Sequence, residues 1–558
     1  MDNLRLILVF TLAFIVLMLW QAWNEDYGPK PQQETLATQS EIGPGRPAGT
    51  DSAVPSAEVT SPISTGNQIA VAAVPEVGAS VETTSGKIGV TTDLFTLEID
   101  TLGGSILWLL LNEYPVSLEQ KDVKFTLMRP TSPDLFVAQS GLIGLEKEEA
   151  PTHEAQYQSK EQSYTMGDKD SLTVELSWKS PKGIQITKRF IFTRGSYLVK
   201  VEHQVDNPTE AAWSGREYRQ LMRGLPGEQP TGSQFLYTYT GGAIYTPEEK
   251  YDKISFEDME EKVLSMEVKG GWIAMLQHYF IGAWVPPAEQ TDHFYTNVLP
   301  GQRYVLGAYT PSISLAPNGS HTFSSGFVAG PKLQDELEAI APGLELTVDY
   351  GWLTVVAKPI FWLLGKIHGI LGNWGWSIIV LTLINKLLFF KLSETSYKSM
   401  ANMRKMTPRI QALKDRYGDD KQRLNQAMME MYKKEKINPL GGCLPIVVQI
   451  PVFIALYWVL LESVELRQAP WIFWIKDLAI KDPFYVLPLI MGVSMFIQQK
   501  LNPAPPDPMQ AKIMMTLPFV FTVFFAFFPS GLVLYWVTNN VLSISQQWVI
   551  TRQIDKAT

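Results

Sequence analysis

Two periodicities divide the chain. Apolar residues take every second position at Leu172, Val174, Leu176 and Trp178, and again at Tyr197, Val199 and Val201, with Gly195 and Asn207-Pro208 as turn signals. That alternation predicts half-buried strands and a β-rich domain of sandwich type over residues 86–342. Elsewhere the apolar residues run together. Predominantly apolar stretches fall at residues 6–20, 374–392, 440–462, 484–500, 512–528 and 531–550, each about long enough to cross a hydrocarbon core of roughly 30 Å. Six transmembrane helices are therefore predicted, the last four with short loops within 439–550.

The first apolar run follows Arg5 and ends at Trp20 and Trp23, with no small-residue cleavage site after it. It reads as a retained anchor over residues 1–23 rather than a signal peptide. Residues 24–85 are rich in Pro, Gly, Ser, Thr, Ala and Gln. Such a segment buries too little apolar area to order itself, so it is predicted to be a flexible linker that couples the large domain loosely. Residues 343–371, with Trp352, Phe361, Trp362 and Ile367, predict an amphipathic helix interrupted at Pro359. It is expected to lie in the outer interface, with Lys358, Lys366 and His368 toward water.

Charge fixes the sidedness. The net charge of −9 gives no footing for DNA, but residues 393–438 hold eleven Lys or Arg against six Asp or Glu, a local charge of +5. Positive loops stay inside, so this loop is cytoplasmic, with both termini, including the tail 551–558, on the same side and the 86–342 domain outside. Cys443 is the single cysteine, which excludes an intramolecular disulfide.

Polar residues concentrate in the inner halves of the spans: Thr382, Asn385 and Lys386; Gly441, Gly442 and Gln449; Gln498 and Gln499; Thr516 and Thr522; then Thr538, Asn539, Asn540, Ser543, Gln546 and Gln547. The outer halves are aromatic and aliphatic, as at Phe524, Phe525, Phe527 and Phe528. The pattern predicts a hydrated pocket open to the cytoplasm and sealed to the outside. Lys386 lies about 9 Å deep at 1.5 Å per residue, and an intramembrane charge marks a functional position unless it snorkels to the headgroups.

The positive loop has apolar residues spaced for a helical hairpin: Met403, Met406, Ile410, Leu413 and Tyr417, then Leu424, Met428 and Met431 after Gly418. Thr407-Pro408 is a candidate helix start. Methionines 400, 403, 406, 428, 429 and 431 fall here, and flexible thioethers suit a surface that recruits varied apolar partners, or the core of the hairpin itself. No phosphate-binding glycine loop and no His-Glu-x-x-His zinc run is present. Ser530 in Pro529-Ser530-Gly531 reads as a turn residue rather than a nucleophile. No catalytic residue, metal or cofactor is expected, and the chain is read as a non-enzyme.

At Asn438-Pro-Leu-Gly-Gly-Cys-Leu-Pro445, Leu461-Glu-Ser-Val-Glu-Leu-Arg-Gln-Ala-Pro470 and Phe528-Pro-Ser-Gly-Leu-Val-Leu-Tyr535 the sequence closely resembles the YidC family of membrane protein insertases. The motifs cover residues 350–550, and the anchor and large outer domain look like the Gram-negative members. The resemblance implies a five-helix core with a hydrophilic groove, a β-supersandwich periplasmic domain and a place in the bacterial inner membrane. It also implies action alone or beside the Sec translocon on nascent membrane proteins, with the ribosome and the signal recognition particle system as further expected partners.

By the same resemblance Lys386 stands where the family has a groove arginine, keeping the charge and losing the bidentate fork. Thr382, Asn385, Gln449, Thr522, Asn539 and Asn540 are expected around it as groove contacts, with Ile450, Pro451, Phe524 and Trp536 as the surface along which a client helix slides into lipid. The competing reading is a small-solute transporter or channel, which requires polar lining across the full membrane depth. The aromatic outer halves argue against it.

Overall fold

The computed structural model describes residues 86–225, 227, 238–418, 420–434, 444–502 and 508–556. The anchor at 1–23, the linker at 24–85, and Gly441, Gly442 and Cys443 lie outside the described residues. So do the side chains of Trp352, Met400, Met403 and Thr407.

The alternating stretches are strands. Leu172 to Trp178 fall in strand Ser171–Lys179, which pairs antiparallel with Gln185–Thr193, and that strand pairs with Leu198–Asp206. Leu172, Val174 and Leu176 point inward from the first of these, and Val199 and Val201 from the last. Gly195 takes a φ of +69°, open to glycine without strain, at the turn between the second and third strands. Two sheets of eleven and nine described strands face each other over a core that includes Phe95, Leu109, Phe190, Trp284 and Phe327.

One strip between the sheets is ionic rather than apolar. Lys188 donates to the carbonyls of Gly103 (3.0 Å) and Ser140 (2.9 Å). Glu217 accepts from Arg219 at 2.6 Å and pairs with His203 at 2.8 Å, and Arg219 also engages Asp292. These groups are buried on all sides, so they join the two sheets and offer no surface to a ligand.

The C-terminal region is helical. Its described helices are α1 (Thr354–Leu371), α2 (Trp374–Leu388), α3 (Phe390–Tyr417), α4 (Lys421–Lys434), α5 (Leu444–Glu462), α6 (Val486–Leu501), α7 (Pro508–Phe525) and α8 (Ser530–Lys556). By length and composition α1 suffices alone to cross a membrane, and α2 with Phe390–Ser399 does so only as a pair bent by 65°. Gln449–Glu462, Val486–Leu501 and Ala511–Phe525 are apolar but shorter.

Several boundaries differ from the sequence reading. The 374–392 stretch breaks at Phe389. Helix α1 runs through Pro359 without interruption, and Val355, whose carbonyl loses its donor there, is exposed. Thr407-Pro408 opens no new helix, because α3 continues through it to Gly418. Lys358 is not simply turned to water: it pairs with Glu345 at 2.9 Å, while His368 stacks flat on Trp374 at 3.9 Å.

The β domain is not loosely coupled on its C-terminal side. Lys332, nearly inaccessible, donates to the Thr347 carbonyl at 3.1 Å and faces the Glu462 carboxylate at the end of α5 at 3.5 Å. Tyr350 accepts from Gln334 at 2.6 Å, His278 Nε2 reaches the Leu461 carbonyl at 3.0 Å, and Arg467 donates to the Pro115 carbonyl at 2.7 Å. Val348, Tyr350 and Leu353 are buried in the same apolar cluster as Ala455, Val459 and Leu532. The segment that leaves the sandwich is thus packed into the helical region. The loose-linker expectation considered the N-terminal connection alone.

Candidate functional site: a cavity with one cation

Helix α8 organises the site. It packs against α2, α3, α5 and α6, and its polar residues reach its neighbours. Asn540 Nδ2 donates to Ser494 Oγ on α6 at 3.0 Å, Gln547 Nε2 to the Leu501 carbonyl at 3.3 Å, and Gln546 Nε2 to the Phe390 carbonyl at 3.5 Å. Helices α6 and α7 approach closely where Gly492 lies under Thr522, since a side chain at 492 would collide with the threonine hydroxyl.

Between these helices lies a cavity of about 420 Å³. Asn385 and Lys386 from α2 line it, with Ser393, Ser396 and Tyr397 from α3 and Gln449, Ile450 and Phe453 from α5. Met495, Gln498 and Gln499 come from α6, followed by Asn502; Met514, Leu517 and Pro518 from α7; and Tyr535, Trp536, Asn539, Asn540 and Ser543 from α8. Among the described residues Lys386 is the one charged side chain on this wall. Amides and hydroxyls surround it, and Phe453 meets Trp536 edge-on at 4.6 Å and stacks with Tyr535 at 5.7 Å. Such a wall hydrates a polar segment, and its one cation favours negative charge.

Of the expected groove contacts, Lys386, Asn385, Gln449, Asn539 and Asn540 lie on this wall. Thr382 does not: it is buried, with its hydroxyl on the Ile378 carbonyl at 2.6 Å. It shares a helix face with Lys386 but sits one turn earlier on α2, off the cavity wall. Thr522 is likewise absent, its hydroxyl donating to the Pro518 carbonyl at 2.7 Å. Ile450 and Trp536 of the expected slide line the cavity; Pro451 and Phe524 do not, and Phe524 packs with Phe525 and Phe528.

Sequence reasoning missed Ser393, Tyr397 and Asn502 as wall residues. The available signal was the four-residue spacing of Ser393 and Tyr397, which puts them on one helix face.

Helices α3 and α4 pack through Met406, Ile410 and Met428, with Leu413, Leu424 and Met431 against them. Met406 and Met428 are buried by that packing, which removes them from any recruiting surface, whereas Met429 is exposed. Ser530 is buried and its hydroxyl donates to the Asp477 carbonyl at 2.8 Å, tying the start of α8 to the preceding loop.

A β-sandwich is seated on a helical bundle whose cavity holds one cation among amides and hydroxyls. Residues 87–363 match the family model for the YidC periplasmic domain, and residues 366–557 that for the 60Kd inner membrane protein. The chain is 53% identical over its whole length to the membrane protein insertase YidC of Methylococcus capsulatus, covering 99% of that protein. It is 51% identical over its whole length to that of Thioalkalivibrio sulfidiphilus, again covering 99%. A solved active YidC insertase with its first transmembrane domain resolved is 16% identical, covering 83% of this chain and 92% of its own, at a TM-score of 0.37. The chain belongs to the YidC family of membrane protein insertases.

Proposed function

We propose that this chain inserts and folds nascent inner-membrane proteins, and that the cavity around Lys386 is a hydrophilic groove open to the cytoplasm. The supporting observation is the wall itself: one cation among amides and hydroxyls, with Phe453, Tyr535 and Trp536 packed together on the same wall. A polar tail loses much of its hydration at membrane depth, and the groove restores part of it. Placing about 20 apolar residues in lipid then drives the step without nucleotide.

The topology that goes with this reading has six transmembrane helices, with α1 in the outer interface, where Trp362 and Ile370 present an exposed apolar face. The α3–α4 pair is the cytoplasmic hairpin, the β domain is periplasmic and both termini are cytoplasmic. Among the described side chains, Met429 is the exposed methionine available for recruitment. Ile450 and Trp536 form the exit surface, and Sec translocon, ribosome and signal recognition particle are the working partners.

A photo-crosslinking residue at Ile450 or Asn539 tests the reading. Both positions should capture a ribosome-stalled membrane protein, and Val523, exposed on α7 away from the cavity, should not. Equal capture from all three positions would refute a groove pathway.

A further inference from the structure

Lysine in a membrane has an alternative to any cavity, because its four-carbon stem lets the ammonium snorkel to the headgroups. Something must hold Lys386 inward for its charge to act in the cavity. Among the described residues its hydrogen-bond partner is Ser543, one helix away on α8, with Lys386 Nζ donating to Ser543 Oγ at 2.8 Å.

The direction of that bond is fixed from the other side. A serine hydroxyl has a single proton, and Ser543 gives it to the Asn539 carbonyl one turn back, at 2.7 Å. Its oxygen therefore presents only lone pairs to the cavity. It accepts from the ammonium and has no proton left for an incoming carboxylate. Ser543 is buried, and the Tyr397 phenol faces it from α3.

The geometry points to Ser543 as the residue that positions Lys386 for client capture, a polarised acceptor that holds the ammonium in the cavity without competing for the client's negative charge. Two of the three ammonium protons remain for that charge. This role rests on the groove reading above and extends it. Asn539 and Asn540 present amides that both donate and accept, so they cannot supply the same one-way contact.

The test uses the full chain in membranes and a pair of clients differing only in the charge of the translocated tail, at equal insertase abundance. Ser543→Ala should lower the acidic-to-neutral insertion ratio by about threefold, the scale of one interhelical hydrogen bond in a membrane. Ser543→Thr, which can make the same bond to the carbonyl one turn back, should restore the ratio. In a Lys386→Gln background Ser543→Ala should change nothing further.

Equal loss for both clients in Ser543→Ala, or no restoration by threonine, would make Ser543 a packing residue and overturn the inference. Lys386→Glu separates the two layers. If it changes the ratio while Ser543→Ala does not, positioning fails and the groove reading stands; if neither changes it, the groove cation itself is refuted.

Discussion

Glu462→Leu should unseat the β domain from the helical region, and the size of the effect follows from the burial of its partner. Lys332 and Glu462 have side chains only 4% and 7% exposed, with Nζ and Oε2 3.5 Å apart. Removing the carboxylate leaves a buried ammonium whose remaining counter-charge, Asp349, is already paired with Lys253, which costs roughly 3 to 5 kcal/mol. Lys332 keeps its bond to the Thr347 carbonyl at 3.1 Å, so the lower end, about 3 kcal/mol, is expected.

Replacing both residues by apolar ones removes the orphan charge, so Lys332→Met with Glu462→Leu should return to within about 1 kcal/mol of the parent. The assay is unfolding of the full chain in detergent, followed by tryptophan fluorescence, for the parent, both single variants and the double. Burial already holds the Lys332 ammonium below its usual pKa. The Glu462→Leu deficit should therefore shrink as pH rises toward the unfolded lysine value of about 10.4. Additive single-variant effects, or a deficit independent of pH, would refute the clamp.

Acid sensitivity should come partly from buried histidines. Burial lowers His153 to about 4 and His278 to about 3, and holds His203 below its usual value. Each is neutral when folded, so its contribution is complete above about pH 6.5 and is lost as pH falls from there through the folded value. His153→Gln should flatten the acid limb of the thermal-unfolding profile by up to about 3 kcal/mol at pH 4, and an unchanged limb would remove His153 from the account. Protease added to inside-out vesicles should cut within residues 393–438 and spare 86–342, and the opposite sidedness would invert the proposed topology.

The sandwich was legible because its strands have one inner and one outer face, so Leu172, Val174 and Leu176 announce both period and side. The ionic strip of Lys188, His203, Glu217, Arg219 and Asp292 was not, since the first two lie on one sheet and the other three on the facing sheet, and they meet only when the sheets close. Helix positions were readable from apolar runs, but Pro359 and Pro408 misled, because a proline inside a helix costs one hydrogen bond without having to end the helix.

For the cavity, sequence polarity pointed to the halves of the helices from which its polar lining comes. It did not give the depth at which neighbouring helices close, and that depth admits Asn385 and Lys386 while excluding Thr382 and Thr522. The docking of Lys332 on Glu462 depends on a contact between residues 130 positions apart, beyond any local pattern.

The central claim, that one cation in a hydrated cavity draws negative client segments into the membrane, is tested most directly by the insertion ratio of acidic-tailed to neutral-tailed clients in Lys386 variants. Lys386→Arg should match the parent, Lys386→Gln should fall between, and Lys386→Glu should lower the ratio by about tenfold, equivalent to ~1.4 kcal/mol and the scale of a partly hydrated ion pair. A ratio unchanged in Lys386→Glu at equal insertase abundance would contradict the claim and leave hydration, not charge, as what the cavity supplies.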